Sequence, residues 1–188
     1  NEHTATLYLG DGQGGFTEAN ADLTGVFRSS TSIADVDGDG NQDLLITGSV
    51  DFNSTATLYL GDGQGNFTEA DAGLTGVGSP DGSSTSIADV DGDGNLDLLV
   101  AGQDGNQDPT ATLYLGDGQG GFSETDAGLT GTKAGGATGG AASTSIADID
   151  GDEDLDLLVT GLGALFGEPS ARIYVNRQNQ SPPNRAPT

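Results

Sequence analysis

The chain has 188 residues, of which 29 are acidic and 5 basic, giving a formal net charge of −24, and it contains no cysteine. Such a surface repels nucleic acid and anionic lipid and collects cations, so no nucleic-acid partner is expected. No apolar run approaches the roughly 18 residues of a membrane span, so no membrane insertion is expected, and no disulfide framework can hold the fold.

Hydrophobic residues make up only 33% of the chain and 33 positions are glycine, a composition that borders on disorder. Regular apolar runs argue against disorder over most of the length. The sequence opens without a methionine or a signal peptide, and reads as a mature or excised piece of something longer.

In chain order, residues 4–9 alternate as Thr-Ala-Thr-Leu-Tyr-Leu and lead into Gly-Asp-Gly-Gln-Gly-Gly and Phe16. This reads as a strand, a glycine-rich hairpin turn that tolerates positive φ, and a returning strand. The pattern recurs at residues 55–67 and 110–122, and a degenerate copy at 170–175 stops before its glycine turn. The tyrosines that mark it, Tyr8, Tyr59, Tyr114 and Tyr174, stand 51, 55 and 60 residues apart. Between copies comes Thr31-Ser32-Ile33-Ala34, then an aspartate-rich loop, then an unbroken apolar run from Leu44, as expected of a strand covered on both faces. Equivalent stretches occupy residues 85–102 and 144–161.

Each repeat is thus predicted to contain four short strands and no helix, an all-β array. A partial repeat spans 4–19 and repeats span about 31–70, 85–124 and 144–175, so the array covers 1–175. Residues 28–30, 78–84 and 133–143 vary in length and are rich in small and polar side chains, which predicts surface loops. Residues 176–188, with Pro182, Pro183 and Pro187, read as a Pro/Asn-rich linker.

The chemistry sits in the aspartate loops. The first is Asp35-Val-Asp37-Gly-Asp39-Gly-Asn41-Gln-Asp43, the second runs from Asp89 to Asp97, and the third from Asp148 to Asp156. Carboxylates occupy positions 1, 3, 5 and 9 of every copy. Two unit charges about 4 Å apart repel by roughly 4 kcal/mol at an effective dielectric near 20, so the cluster calls for a cation. Calcium suits it best, since it takes six to eight oxygens in loose geometry. An EF-hand begins in the same way but needs a glutamate at position 12, where these loops carry Ile46, Val100 and Val159 inside a strand.

The pattern Asp-x-Asp-x-Asp-Gly-x-x-Asp before an apolar strand, with a tyrosine strand and a Gly-x-Gly-x-Phe turn, resembles the FG-GAP or VCBS family of repeats. The resemblance covers residues 4–175. It implies β-propeller-type blades, each a four-stranded antiparallel sheet, of the kind found in integrin-α-type propellers and many bacterial surface proteins. With three complete loops and loose strands at each end, the blades are expected to form an incomplete ring or an open array. By resemblance, the calcium ligands are Asp35, Asp37, Asp39, Asn41 through its carbonyl, and Asp43. In the second loop they are Asp89, Asp91, Asp93, Asn95 and Asp97. In the third they are Asp148, Asp150, Asp152, Asp154 and Asp156, about three Ca2+ ions per chain. Glu153 replaces the position-6 glycine of the third loop, where a positive φ costs a side chain about 1 kcal/mol, so a weaker or distorted third site is expected.

The functional expectation is a calcium-binding, extracellular structural or adhesive module, with an ion stapling each blade. Its partners would be other copies, neighbouring domains that complete the array, or surface glycans. The alternatives are a subunit of a self-assembling extracellular filament built by head-to-tail strand or blade complementation, and a non-catalytic carbohydrate-binding part of a secreted enzyme. Catalysis is not expected: His3 is the one histidine and Lys133 the one lysine, so nucleophile–base pairs are scarce. Asp11, Asp62 and Asp117 are read as turn formers and the tyrosines as packing positions. Asn53, Asn66 and Asn179 match the glycosylation acceptor pattern, although short patterns recur by chance.

Overall fold

A computed structural model of the chain describes residues 4–51, 53–75, 82–103, 109–130, 142–162 and 169–177. Among them there are thirteen strands in four antiparallel sheets, with no helix and no sheet closed on itself. The first sheet pairs β1 (Leu7–Gly10) with β2 (Phe16–Ala19). The second is a meander of β3 (Phe27–Ala34), β4 (Asp43–Val50), β5 (Asn53–Gly61) and β6 (Phe67–Ala70). The third repeats it with β7 (Ser84–Ala88), β8 (Asp97–Gln103), β9 (Pro109–Gly116) and β10 (Phe122–Thr125). The fourth holds β11 (Ser143–Ala147), β12 (Asp156–Leu162) and β13 (Pro169–Tyr174).

The four-strand repeat read from the sequence is therefore present twice in full. One reading needs correction. Residues 28–30, expected in a surface loop, belong to β3, whose pairing with β4 shifts register between Phe27 and Ser30. Arg28 sits there at φ 50, the left-handed geometry that a bulge imposes on a polar stretch with no alternation to reveal it. The other two expected loops end on strand residues, Ser84 and Ser143, and otherwise lie outside the described residues.

The sheets pack face to face, which explains the two apolar faces of each second strand. In β4, Leu45 joins Val36 and Leu58 against Leu98, Val100 and Tyr114 of the third sheet. Leu44, Ile46 and Tyr59 point the other way, onto Leu23 and Val26. In the third sheet Leu99, Ala101 and Leu113 meet Leu157 and Val159 of the fourth. Leu98, Leu99 and Val100 are at most 1% exposed, and burying each contributes about 1.5–3 kcal/mol.

Polar contacts fix how successive blades sit. The Tyr59 hydroxyl accepts the Thr24 N–H at 3.1 Å, Tyr114 pairs with the Thr75 hydroxyl at 2.6 Å, and Tyr174 accepts the Thr130 N–H at 3.0 Å. Each tyrosine thus clasps the connector that leaves the preceding blade. Along the first strands runs a seam of hydroxyls: Thr85 meets Ser30 and Ser32 of β3, and Thr144 meets Ser84 and Ser86 of β7.

Candidate metal centres in the aspartate loops

Each loop joins the first strand of a blade to the second, and its own carboxylates fold it. Asp35 accepts the N–H groups of Gly38 at 2.8 Å and Gly40 at 2.9 Å, and Asp39 accepts that of Asn41 at 2.7 Å. Asp89 does the same for Gly92 and Gly94, and Asp93 for Asn95. In the third loop Asp148 accepts from Gly151 at 2.6 Å and Glu153 at 3.2 Å. These bonds wrap the chain around a centre toward which side-chain oxygens point. Gly40 and Gly94 hold φ 89 and 93, and Glu153 adopts the same left-handed geometry at φ 71, the departure marked in the sequence.

The ninth aspartate does more than the sequence suggested. Asp43, Asp97 and Asp156 are buried, at 1%, 1% and 0% exposure. Asp43 accepts the Val36 N–H at 2.8 Å and the Gly61 N–H at 2.9 Å, so one carboxylate ties the loop to the end of the third strand. Asp97 links Val90 to Gly116, and Asp156 links Ile149 to Asn176. The seventh residue reaches the glycine turn of the same hairpin. A Cβ at Gly63 would collide with Asn41 Oδ1, and one at Gly118 with Asn95 Oδ1, so loop and glycine turn are fitted to each other.

Three carboxylates converge in every loop: Asp35, Asp37 and Asp39 in the first, Asp89, Asp91 and Asp97 in the second, and Asp148, Asp150 and Asp156 in the third. In each trio one oxygen per residue lies within 4.8 Å of the others. Oxygens bound to opposite sides of one calcium ion, at about 2.4 Å each, are separated by about that much. The donor set is all oxygen, which suits a hard cation and gives no soft ligand for zinc or copper. Asp43, Asp93, Asp152, Asp154, Asn41 and Asn95 stand in the same loops but outside these trios. The carboxyls of Asp37, Asp97 and Asp150 are held above their ordinary range, first by desolvation and then by neighbouring carboxylates: Asp43, Asp39 and Asp35 around Asp37, Asp91 beside Asp97, and Asp152 and Asp156 around Asp150. A cation among them would reverse that effect.

Asp11, Asp62 and Asp117 are turn formers. Asp11 accepts from Gln13 at 2.7 Å and Gly15 at 2.9 Å, and its equivalents do likewise. Their carboxyls are held below the ordinary range, Asp11 and Asp117 chiefly by these backbone donors and Asp62 first by the Asn66 amide. Tyr59 and Tyr114 are packing residues, 3% and 1% exposed, whereas Tyr8 is 56% exposed.

Sequence reading missed the tyrosine–threonine clasp. Its signal was present: Ala-x-Leu-Thr-Gly stands at residues 21–25, 72–76 and 127–131, one copy after each fourth strand.

Stacked antiparallel blades, two of them four-stranded and three of them carrying an acidic loop between their first two strands, define a β-propeller-like repeat module. The chain belongs to the FG-GAP-like repeat family, whose sequence profile matches residues 35–100 and 89–159. A comparison with curated proteins returns no match.

Proposed function

We propose that the chain is a calcium-binding extracellular module with a structural or adhesive role, in which one ion staples each aspartate loop. The observation that carries this reading is the convergence of three carboxylate oxygens within the aspartate loop of each of three successive blades. By the sequence pattern, Asp35, Asp37, Asp39, Asp43 and the Asn41 carbonyl are assigned as ligands of the first ion, with the corresponding residues in the other two loops. Magnesium, which demands tight octahedral geometry and holds its water, suits such a set less well. An exterior rich in calcium would keep sites of about 10⁻⁴–10⁻³ M affinity filled. The clustered carboxylates are accounted for in this way, which leaves a structural rather than a catalytic role. The partners this reading calls for are further copies or neighbouring domains, to which the chain presents exposed Tyr8 and Phe16 in its first sheet and exposed Ile149 and Ile173 in its last blade.

The test is calorimetry on protein stripped with EDTA. Calcium should bind at about three sites per chain and raise Tm, with chelation reversing the gain. A flat titration together with an unchanged Tm would remove the metal from the proposal.

A further inference from the structure

Between the third and fourth sheets lies a cavity of about 390 Å³, lined chiefly by Val90, Leu113, Leu115, Leu129, Leu157 and Tyr174. The preceding interface shows what such a space holds. There Val36, Leu58, Leu60, Leu74, Leu98 and Tyr114, the repeat-equivalent residues, gather around Phe122. The space left beside that ring is about 10 Å³. Phe122 begins β10, the fourth strand of its blade, and donates its N–H to the Ala72 carbonyl at 3.0 Å. Among the described residues the fourth sheet has no such strand and β13 is its edge. The sequence after Asn176 does not carry the Gly-Asp-Gly-Gln-Gly-x-Phe pattern that leads into a fourth strand elsewhere.

The edge also differs in charge. β13 carries Arg172 where β5 and β9 carry Thr57 and Thr112, and Arg177 stands where Asp62 and Asp117 stand in the complete repeats. Arg177 lines the cavity, and Arg172, two residues before the wall residue Tyr174, donates to the Thr130 hydroxyl beside it. Complete fourth strands set a glutamate opposite the tyrosine, as Glu69 to Tyr59 and Glu124 to Tyr114. A strand added to β13 in that register would bring its glutamate opposite Tyr174, diagonal to Arg172 on the same face, within reach of a long side chain.

We propose that this cavity and the β13 edge form a binding site for an extended acidic segment bearing a phenylalanine two residues before a glutamate. The segment adds as a fourth strand, its backbone pairs with β13, its phenyl ring fills the cavity and its glutamate meets Arg172.

The test uses the full chain with calcium and a labelled peptide of the β10 sequence, Gly-Gly-Phe-Ser-Glu-Thr, read by fluorescence anisotropy. Saturable one-to-one binding is expected, weakened about tenfold or more when alanine replaces the peptide phenylalanine. Arg172→Glu should weaken binding, and a peptide with arginine in place of glutamate should restore it. Leu129→Trp, which fills the cavity, should block binding, with near-ultraviolet dichroism and Tm reporting that the variant is folded. Absence of saturable binding, or equal binding of the alanine peptide, would overturn the proposal. So would dimerisation of the chain alone that Phe16→Ala abolishes, because the site would then belong to a second copy.

Discussion

Asp97 is almost wholly buried, yet its carboxylate accepts N–H groups from Val90 at 2.7 Å, Asp91 at 3.3 Å and Gly116 at 3.0 Å. Removing it leaves those donors unsatisfied, at about 1–3 kcal/mol for each that stays buried. Asp97→Ala is therefore expected to cost about 3 kcal/mol or more in urea unfolding even with EDTA present. Asp91 accepts the Asp93 N–H at 3.1 Å. Asp91→Asn keeps an acceptor there, so metal-free stability should change by less than about 1 kcal/mol, while calorimetry should show one calcium site weakened. The contrast separates a carboxylate that holds the blade whether or not a cation is bound from one whose role lies in the proposed metal site. Glu153 adds a third case: at φ 71 its backbone is strained, and Glu153→Gly should stabilise the metal-free chain by about 1 kcal/mol in the same urea experiment.

At the scale of the element, the clasp between blades can be isolated one hydroxyl at a time. Tyr114→Phe keeps the packed ring but loses the 2.6 Å bond to Thr75, and should cost about 1 kcal/mol in urea unfolding. Tyr8→Phe, on an exposed ring, should leave stability unchanged. Strands and hairpin turns were legible in the sequence because alternation and glycine spacing are local signals. Leu58 and Tyr59 do face opposite ways, as their neighbours Leu45 and Leu44 show by joining different clusters. The aspartate loops were legible as acidic clusters for the same reason. What was not legible depends on contacts distant in sequence. The start of β3 at Phe27 lies in a polar stretch made a strand by pairing with β4. The role of Asp43 required knowing that Gly61, eighteen positions away, returns to it. The clasp required knowing that Thr75 lies beside a tyrosine thirty-nine positions on.

Over the whole molecule, a charge of −24 and three crowded loops set two opposite responses to acid. Asp37, Asp97 and Asp150 have folded-state pKa values raised above the ordinary 3.8, so without a cation the folded chain binds protons more readily than the unfolded one. Metal-free stability should then rise as pH falls from neutral toward the carboxylate range, while the acid also relieves general repulsion. Asp11, Asp62 and Asp117 act with the reverse sign. Their pKa values lie below 3.8, so the stability that their turns contribute is present above that value and is lost as pH falls through their folded values. The metal-free Tm is therefore expected to pass through a maximum within the carboxylate range and then fall. With calcium bound, protons compete with the ion for the same oxygens, and the stabilisation from binding shrinks as affinity drops. Tm should then decline steadily from neutral pH downward. Scanning calorimetry on cation-stripped and calcium-loaded protein between pH 7 and about 4.5 should give slopes of opposite sign. Parallel curves would mean that the crowded carboxylates are not where calcium acts.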